Sequence, residues 1–291
     1  MKYTKEIDYF ITRYSLIPDR QIDFESFMGV TKEQKFLDFL LSFESERKKE
    51  IFYNGFNYAL YCQQLSPIHF FMSFAKGTDK IIGEKTDAGI MDSYVEDYKK
   101  CNILINIQSQ FFIIEKNFEV SGNFISLKNI ISKVITRFLE SRYLYFQLDL
   151  LTEKNDFWKY ISTNSGNITD LEIKLSSPNL LDGITSVSDF LHKTNEQYNN
   201  TSFQFKLSND NGKLNINPDN PFLQDAIRYS SAGCGTWKAK IKNSQQWYKN
   251  TDNPILLKLS DELGQLKDSD RQEINKVFEH VKHIDPENKE G

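Results

Sequence analysis

The strongest periodic signal in the chain lies between Ser126 and Asn179. Leu127, Ile130, Ile131, Val134, Ile135, Phe138 and Leu139 recur at helical spacing, so one face of a helix is apolar. Lys128, Asn129, Lys133 and Arg137 take the opposite face. Next, Leu144, Phe146, Leu148 and Leu150 alternate with Tyr143, Tyr145, Gln147 and Asp149. That two-residue period predicts a half-buried strand with the second set outward. A short helix follows, then a strand of Leu171, Ile173 and Leu175 that Pro178-Asn179 stops. A helix and strands with one apolar side each are expected to share a core.

Upstream, Tyr9, Ile11 and Arg13 begin a strand that Pro18-Asp19 closes. Thr31 caps a helix, with Gln34 at the third position. Its apolar residues run from Phe36 to Phe43, ahead of the charged end Glu44 to Lys49. Tyr58, Leu60 and Cys62, then Phe70, Met72 and Phe74, predict two strands joined at Ser66-Pro67. Lys76-Gly77-Thr78-Asp79 is expected to end the second. The polar stretch Gly83 to Lys100 predicts a loop, with a modest helix from Met91 to Tyr98. Ile103, Ile105 and Ile107 face Phe111, Ile113 and Glu115 across Gln108-Ser109-Gln110, a hairpin.

Ser121-Gly122-Asn123 is the candidate boundary, giving domains over 1–120 and 121–291. Beyond the central stretch, Ser186 and Asp189 start a helix with Val187, Phe190, Leu191, Thr194 and Tyr198 on one face. Phe203, Phe205 and Leu207 predict a strand. The turn Asn209-Asp210-Asn211-Gly212 would return it to a partner at Leu214 and Ile216. Asn220-Pro221 opens a helix with Phe222, Leu223, Ala226 and Ile227 inward. Trp237, Ala239 and Ile241 alternate with Lys238, Lys240 and Lys242, and Ile255, Leu257 and Leu259 make a last strand. Ile274, Val277, Phe278 and Val281 give a final helix ahead of the polar tail from Asp285. The class is α+β with two subdomains: a mainly antiparallel sheet with a helix, then an α/β sandwich of mixed sheet and amphipathic helices.

Composition narrows the picture. The 291 residues suit one large or two small domains, and the 39% hydrophobic and 14% aromatic content argues against disorder. A net charge of −4 means that a nucleic-acid role needs a local basic patch. Cys62, Cys101 and Cys234 form no metal or redox spacing, which fits buried thiols in a reducing compartment. The basic start at Met1-Lys2 has no apolar run behind it, and the apolar runs near Ile103 and Phe111 are too short to cross a bilayer. A cytoplasmic location is expected.

Several side-chain sets carry candidate chemistry. Lys238, Lys240 and Lys242 on one strand face would stand about 7 Å apart, near the phosphate spacing of nucleic acid. Arg228, Lys249 and Lys258 outweigh Asp225 and Asp252 nearby, and Trp247 and Tyr248 offer rings for base stacking. The plain alternative is a solvated face with lysines guarding an edge strand. Asp170, Glu172 and Lys174, with Asp149 or Asp156 upstream, have the residue types of a restriction-type nuclease, where two carboxylates hold a metal and a lysine orients water. Alternating charge on an outward strand face produces the same string. His280 and His283, three apart, are expected at a helix end rather than on a metal, and His69 and His192 are expected to be structural. Asn209 to Gly212 lacks the closing Glu of a calcium loop. There is no G-x-S-x-G, Walker loop, G-x-G-x-x-G or H-E-x-x-H, and Ala232-Gly233-Cys234-Gly235 lacks the context of a phosphate cradle. No catalytic residue, metal or cofactor is assigned.

From Asn57 to about Leu259 the order of elements resembles the RexA-like phage-exclusion proteins. The resemblance is carried by the strand pair Tyr58–Cys62 and Phe70–Phe74, the hairpin Ile103–Glu115, the helix Leu127–Leu139, and the strands Tyr143–Leu150 and Asp170–Leu175. The ending Ser176-Ser177-Pro178-Asn179 and the turn Ser231-Ala232-Gly233-Cys234-Gly235 before the lysine-rich strand complete it. It implies a cytoplasmic antiphage, abortive-infection component: a dimer that binds duplex DNA with little sequence preference and signals to an effector, in some cases a membrane protein. Lys238 to Lys242 is the stripe that maps onto such a surface. The effector expected is a membrane protein or a nuclease, and the alternatives are a metal-dependent nuclease of restriction type on Glu172 and Lys174 and an adaptor that senses a phage protein.

Overall fold

The computed structural model describes residues 6–18, 29–87, 89–176, 185–260 and 271–285. The chain opens with β1 (Glu6–Pro18), α1 (Lys32–Leu41) and the single turn α2 (Phe43–Glu46). Then come β2 (Lys48–Tyr53), β3 (Phe56–Gln64), β4 (His69–Thr86), β5 (Gly89–Asn106) and β6 (Phe111–Glu115). α3 (Phe124–Leu139) leads into β7 (Leu144–Leu150), followed by α4 (Lys154–Thr163), β8 (Ile168–Ser176), α5 (Thr185–Tyr198) and β9 (Ser202–Ser208). α6 (Pro221–Ser231), β10 (Gly235–Ile241), β11 (Tyr248–Lys249), β12 (Leu256–Ser260) and α7 (Arg271–Ile284) complete it. The fold is α+β.

The larger sheet has the order β12-β1-β6-β5-β4-β3-β2, with β7 also on β1. β1 pairs with β6 through Tyr9–Arg13, with β12 through Glu6–Phe10 and with β7 through Thr12–Pro18. Because the β6 ladder overlaps both others, β12 and β7 share the opposite edge of β1. Successive side chains of β1 face opposite ways. Phe10, Tyr14 and Leu16 enter a core with α1 and α3, whereas Tyr9 and Ile11 enter a second core under α7. Coverage on both faces explains why Phe111 to Ile114 are all buried instead of alternating.

The smaller sheet has the antiparallel order β11-β10-β8-β9. One face, bearing Leu171, Ile173, Leu175, Trp237 and Ala239, is covered by α4, α5 and α6. The helix starts are chemically set: Thr31 Oγ1 accepts from Gln34 N at 3.1 Å, Asn123 Oδ1 from Ser126 N at 2.9 Å, and Asn220 Oδ1 from Leu223 N at 3.0 Å. The larger sheet takes elements from both sides of Ser121-Gly122-Asn123, since β7, β12, α3 and α7 all pack on it. The central stretch therefore does not share one core. α3 and β7 belong to the larger core, and β8 to the smaller.

Other expectations are also corrected. Lys76 to Asp79 does not end β4, and in place of the loop and helix expected over Gly83 to Lys100 the chain is strand as far as Thr86 and again from Gly89. β4 and β5 pair from His69–Asn106 out to Thr86–Gly89, a long two-stranded arm. The outer arm leaves the body, so neither face is buried and the apolar period that marks a strand disappears while the ladder persists. Leu214 and Ile216 form no strand. Leu214 N donates to Ile168 O, and Lys213 makes one parallel bridge to Ile168. Tyr198 is 68% exposed rather than on the inner face. Asp19, Pro178-Asn179 and the tail after Asp285 lie outside the described residues.

The sheets meet at the small-residue turn after α6. Ala232 bridges Leu151, and Thr152 N donates to Ser231 O at 3.0 Å. Gly233 has φ +79°, and a Cβ there would lie 2.8 Å from both Arg13 Cβ and Leu151 Cδ1. Only glycine fits that backbone and that approach. Arg13 is buried at the same point. Its guanidinium donates to Ala232 O at 2.7 Å, Ser109 O at 3.1 Å and Asp285 Oδ2 at 2.5 Å, which ties β1, the β5–β6 hairpin, the α6 turn and the end of α7 together.

Candidate functional site

The open face of the smaller sheet carries the charge. Antiparallel register sets Lys238 beside Glu172 and Lys240 beside Asp170, with Lys206 and Ser208 on the far side of those acids. The lysine row is thus not a bare cationic stripe. Lys238 Nζ lies 2.8 Å from Glu172 Oε1, and Lys206 Nζ lies 2.9 Å from Asp170 Oδ1. Burial alone would raise the Asp170 carboxyl. Hydrogen bonds from Lys206, Ser208 and Thr169 overcome that and hold it below the usual carboxylate range.

The row is also shorter than its spacing predicts. The ladder shifts register between Lys240 and Ile241, β10 ends at Ile241, and the Lys242 stem lies against Gly212 of the Asn209 turn. That turn forms as expected, with Gly212 N donating to Asn209 O at 2.9 Å. Trp247 is covered by lysines: Lys238 Nζ stands 4.7 Å and Lys206 Nζ 5.8 Å from its ring centre. Lys249 is the cross-strand neighbour of Lys238 and is exposed. Arg228 belongs to α6, which covers the opposite face of this sheet, so it does not join the group. Lys258 lies away from the group, on β12 of the larger sheet opposite Asp8.

The open face continues into a groove of about 750 Å³ between the two sheets. Its far wall is the polar side of α3. Lys128, Lys133 and Arg137 line it, facing Lys174, Ser176 and Thr236. Adjoining hollows share Lys174 and Thr236 and extend to Lys238 and Lys249. Lys128, Lys133, Arg137, Lys174, Lys238 and Lys249 thus follow one continuous depression, against Glu140, Asp149 and Glu172.

Asp149 sits at the groove floor, 4% exposed, although its place in the alternation predicts an outward residue. The outward side of β7 is covered here by the smaller sheet. Asp149 accepts from Lys128 Nζ at 3.0 Å, Ser176 Oγ at 2.8 Å and Gln147 Nε2 at 2.7 Å. This buried carboxylate is fully hydrogen-bonded and fixes α3, β7 and β8 to one another. Arg137 is held 2.8 Å from Glu140. Lys133, Lys174, Lys240 and Lys249 make no ion pair among the described residues.

The nuclease residues are brought partly together. Asp149 and Glu172 line adjoining parts of the groove on either side of Lys174, but each carboxylate holds a lysine. Asp156 is in the first turn of α4, on the covered side. Among the described residues no three or more His, Cys, Asp or Glu side chains are placed to share a metal ion. His280 and His283 are exposed on α7. His69 stacks on Phe278 at 4.5 Å, and its Nε2 lies 3.0 Å from Asn106 Nδ2. Cys101 and Cys234 are buried, and Cys62 is half-buried with its thiol pushed up to about 12 by burial.

The cations of α3 are the site residues that single-strand reasoning misses. The signal was present: three basic side chains on one helix face with no acid among them. Which partner that face meets depends on the docking of the smaller sheet. No helix among the described residues is long and apolar enough to cross a membrane. No protein-family model, curated protein or solved structure matches the chain.

Proposed function

We propose that this protein is a non-enzymatic nucleic-acid binder whose groove between α3 and the open face of β8 and β10 takes a sugar-phosphate backbone without reading sequence. One observation carries the reading. A chain of net charge −4 gathers six cationic side chains along one depression, and three of them, Lys133, Lys174 and Lys249, have no carboxylate partner among the described residues. Lysine ammonium groups on strand and helix faces meet phosphates as point charges, giving affinity and position without base readout. The RexA-like resemblance supplies the setting: a cytoplasmic antiphage sensor, duplex DNA as ligand, and an effector protein downstream.

The test is retention of a labelled duplex at low salt. The triple variant Lys133→Glu, Lys174→Glu, Lys249→Glu is expected to lose retention, while Lys193→Glu on the exposed side of α5 keeps it. Equal retention by the triple variant and the parent would overturn the proposal.

A further inference from the structure

The β4–β5 arm has two free edges. β3 pairs with β4 only as far as Lys76, and β6 pairs with β5 only from Ile103. Beyond those points no third strand joins the ladder among the described residues, and near its base Asn117 Nδ2 donates to Lys100 O at 2.9 Å and Asn57 Nδ2 to Glu96 Oε1 at 3.4 Å. Apolar side chains stand out on both faces of the arm: Ile81, Ile82, Ile90, Met91, Tyr94 and Val95 are all exposed, Ile90 by 81%. A long, apolar, unpaired edge is a template for adding another strand.

The sequence of the β4 edge is complementary to itself. Antiparallel pairing of two copies about Ile82 sets Asp79 opposite Lys85, Lys80 opposite Glu84, Ile81 opposite Gly83 and Ile82 opposite Ile82. The two-fold repeats each contact, so four opposite-charge pairs form and no like-charge pair does. Slipping one residue either way sets Asp79 against Glu84 or Lys80 against Lys85. Slipping two sets Lys80 against Ile82 or Ile81 against Lys85. Gly83 adds no side chain of its own on the face where Ile81 of the other copy arrives, and Ile90 of the same arm covers it there, its Cγ2 3.1 Å from where a Gly83 Cβ would be. The β5 edge is less open to this. Its basic end is engaged within the chain, with Lys99 Nζ 3.0 Å from Asp97 and 3.5 Å from Glu119 and Asn117 Nδ2 donating to Lys100 O at 2.9 Å, and its outer part carries the acids Asp92 and Glu96, which oppose pairing when they face each other. A β4-to-β5 contact would be head-to-tail, giving a larger ring or an open filament rather than a two-fold pair.

We infer that the arm is a dimerisation element: two copies of this chain join β4 to β4 in antiparallel register centred on Ile82, forming a four-stranded sheet. This interface is independent of the groove and stands or falls separately from nucleic-acid binding.

Sedimentation equilibrium over a concentration series tests it. The parent is expected to reach twice the 34.1 kDa chain mass and to stop there. Lys80→Glu places Glu opposite Glu84 at two symmetric contacts and should raise the dissociation constant roughly tenfold. Lys80→Glu with Glu84→Lys restores both pairs and should recover the dimer, which a general effect on folding would not. Ile82→Cys should form a covalent dimer under mild oxidation. A parent that stays monomeric, or grows past the dimer, overturns the inference. So do a Lys80→Glu variant as dimeric as the parent, an unrescued double variant, and an Ile82→Cys chain that fails to cross-link.

Discussion

The salt dependence of nucleic-acid binding can be worked from the ion pairs of the groove. Lys128, Lys238 and Arg137 already hold carboxylates at 3.0, 2.8 and 2.8 Å, so a phosphate meeting them displaces little net charge. Lys133, Lys174 and Lys249 have no such partner among the described residues. Three phosphate contacts give a slope of log affinity against log salt of about −2.7 for duplex DNA, so affinity falls about 40-fold between about 50 and about 200 mM salt. Lys174→Ala removes one contact and should flatten the slope to about −1.8, an affinity loss of about 12-fold over the same range. The informative variant has the opposite sign. Glu172→Gln releases Lys238, so the slope should steepen to about −3.6 and low-salt affinity should rise. Fluorescence anisotropy of a short labelled duplex, titrated across salt, measures all three. A parent slope near zero refutes the phosphate reading. A Glu172→Gln slope equal to the parent's refutes the claim that Glu172 masks Lys238.

Three stability predictions follow from the joint between the sheets and from α7. Asp285→Ala removes the carboxylate that the buried Arg13 guanidinium meets at 2.5 Å and should cost about 3–5 kcal/mol in urea unfolding; a loss under about 1 kcal/mol would show this arm of the clamp to be dispensable. Gly233→Ala adds a Cβ to a left-handed residue against Arg13 and Leu151, and should cost about 2 kcal/mol or more in the same assay. Burial holds the His69 imidazole below its ordinary value of 6.5, with repulsion from Lys282 adding to this, and a hydrogen bond to Asn275 and the charge of Glu279 opposing it. The unfolded chain then binds a proton that the folded chain refuses. Stability from this group is complete above the ordinary value and declines as the pH falls below it, and His69→Gln should lessen that decline in thermal melts.

Much of the architecture follows from residues that bury one side. The alternation in Tyr58–Cys62, Phe70–Phe74 and Phe203–Leu207, the caps at Thr31 and Asn220, and the stripe of α3 all predict the elements observed. The β4–β5 arm escaped because a two-stranded ribbon in solvent has no buried side, so Asp79 to Tyr98 mixes charge and apolar residues without a period. The split of the central stretch between two cores escaped for another reason. β7 and β8 carry the same alternation, and nothing local to either says which sheet it joins.

The site was legible as residue types but not as a surface. A lysine row on β10 reads as free charge until the strand beside it is known. Once β8 pairs with it in register, Glu172 and Asp170 fall directly alongside Lys238 and Lys240. The same pairing brings Lys174 to the foot of α3, opposite Lys133 and Arg137. Sheet register thus masks one candidate cation and assembles others. The groove's charge is a property of how β7 and β8 dock through Asp149, which no single strand carries. On this argument Asp149→Asn, by loosening Lys128, Gln147 and Ser176 together, should weaken duplex binding even though it removes a negative charge from a cationic groove. A gain in affinity would show that Asp149 acts only as a charge.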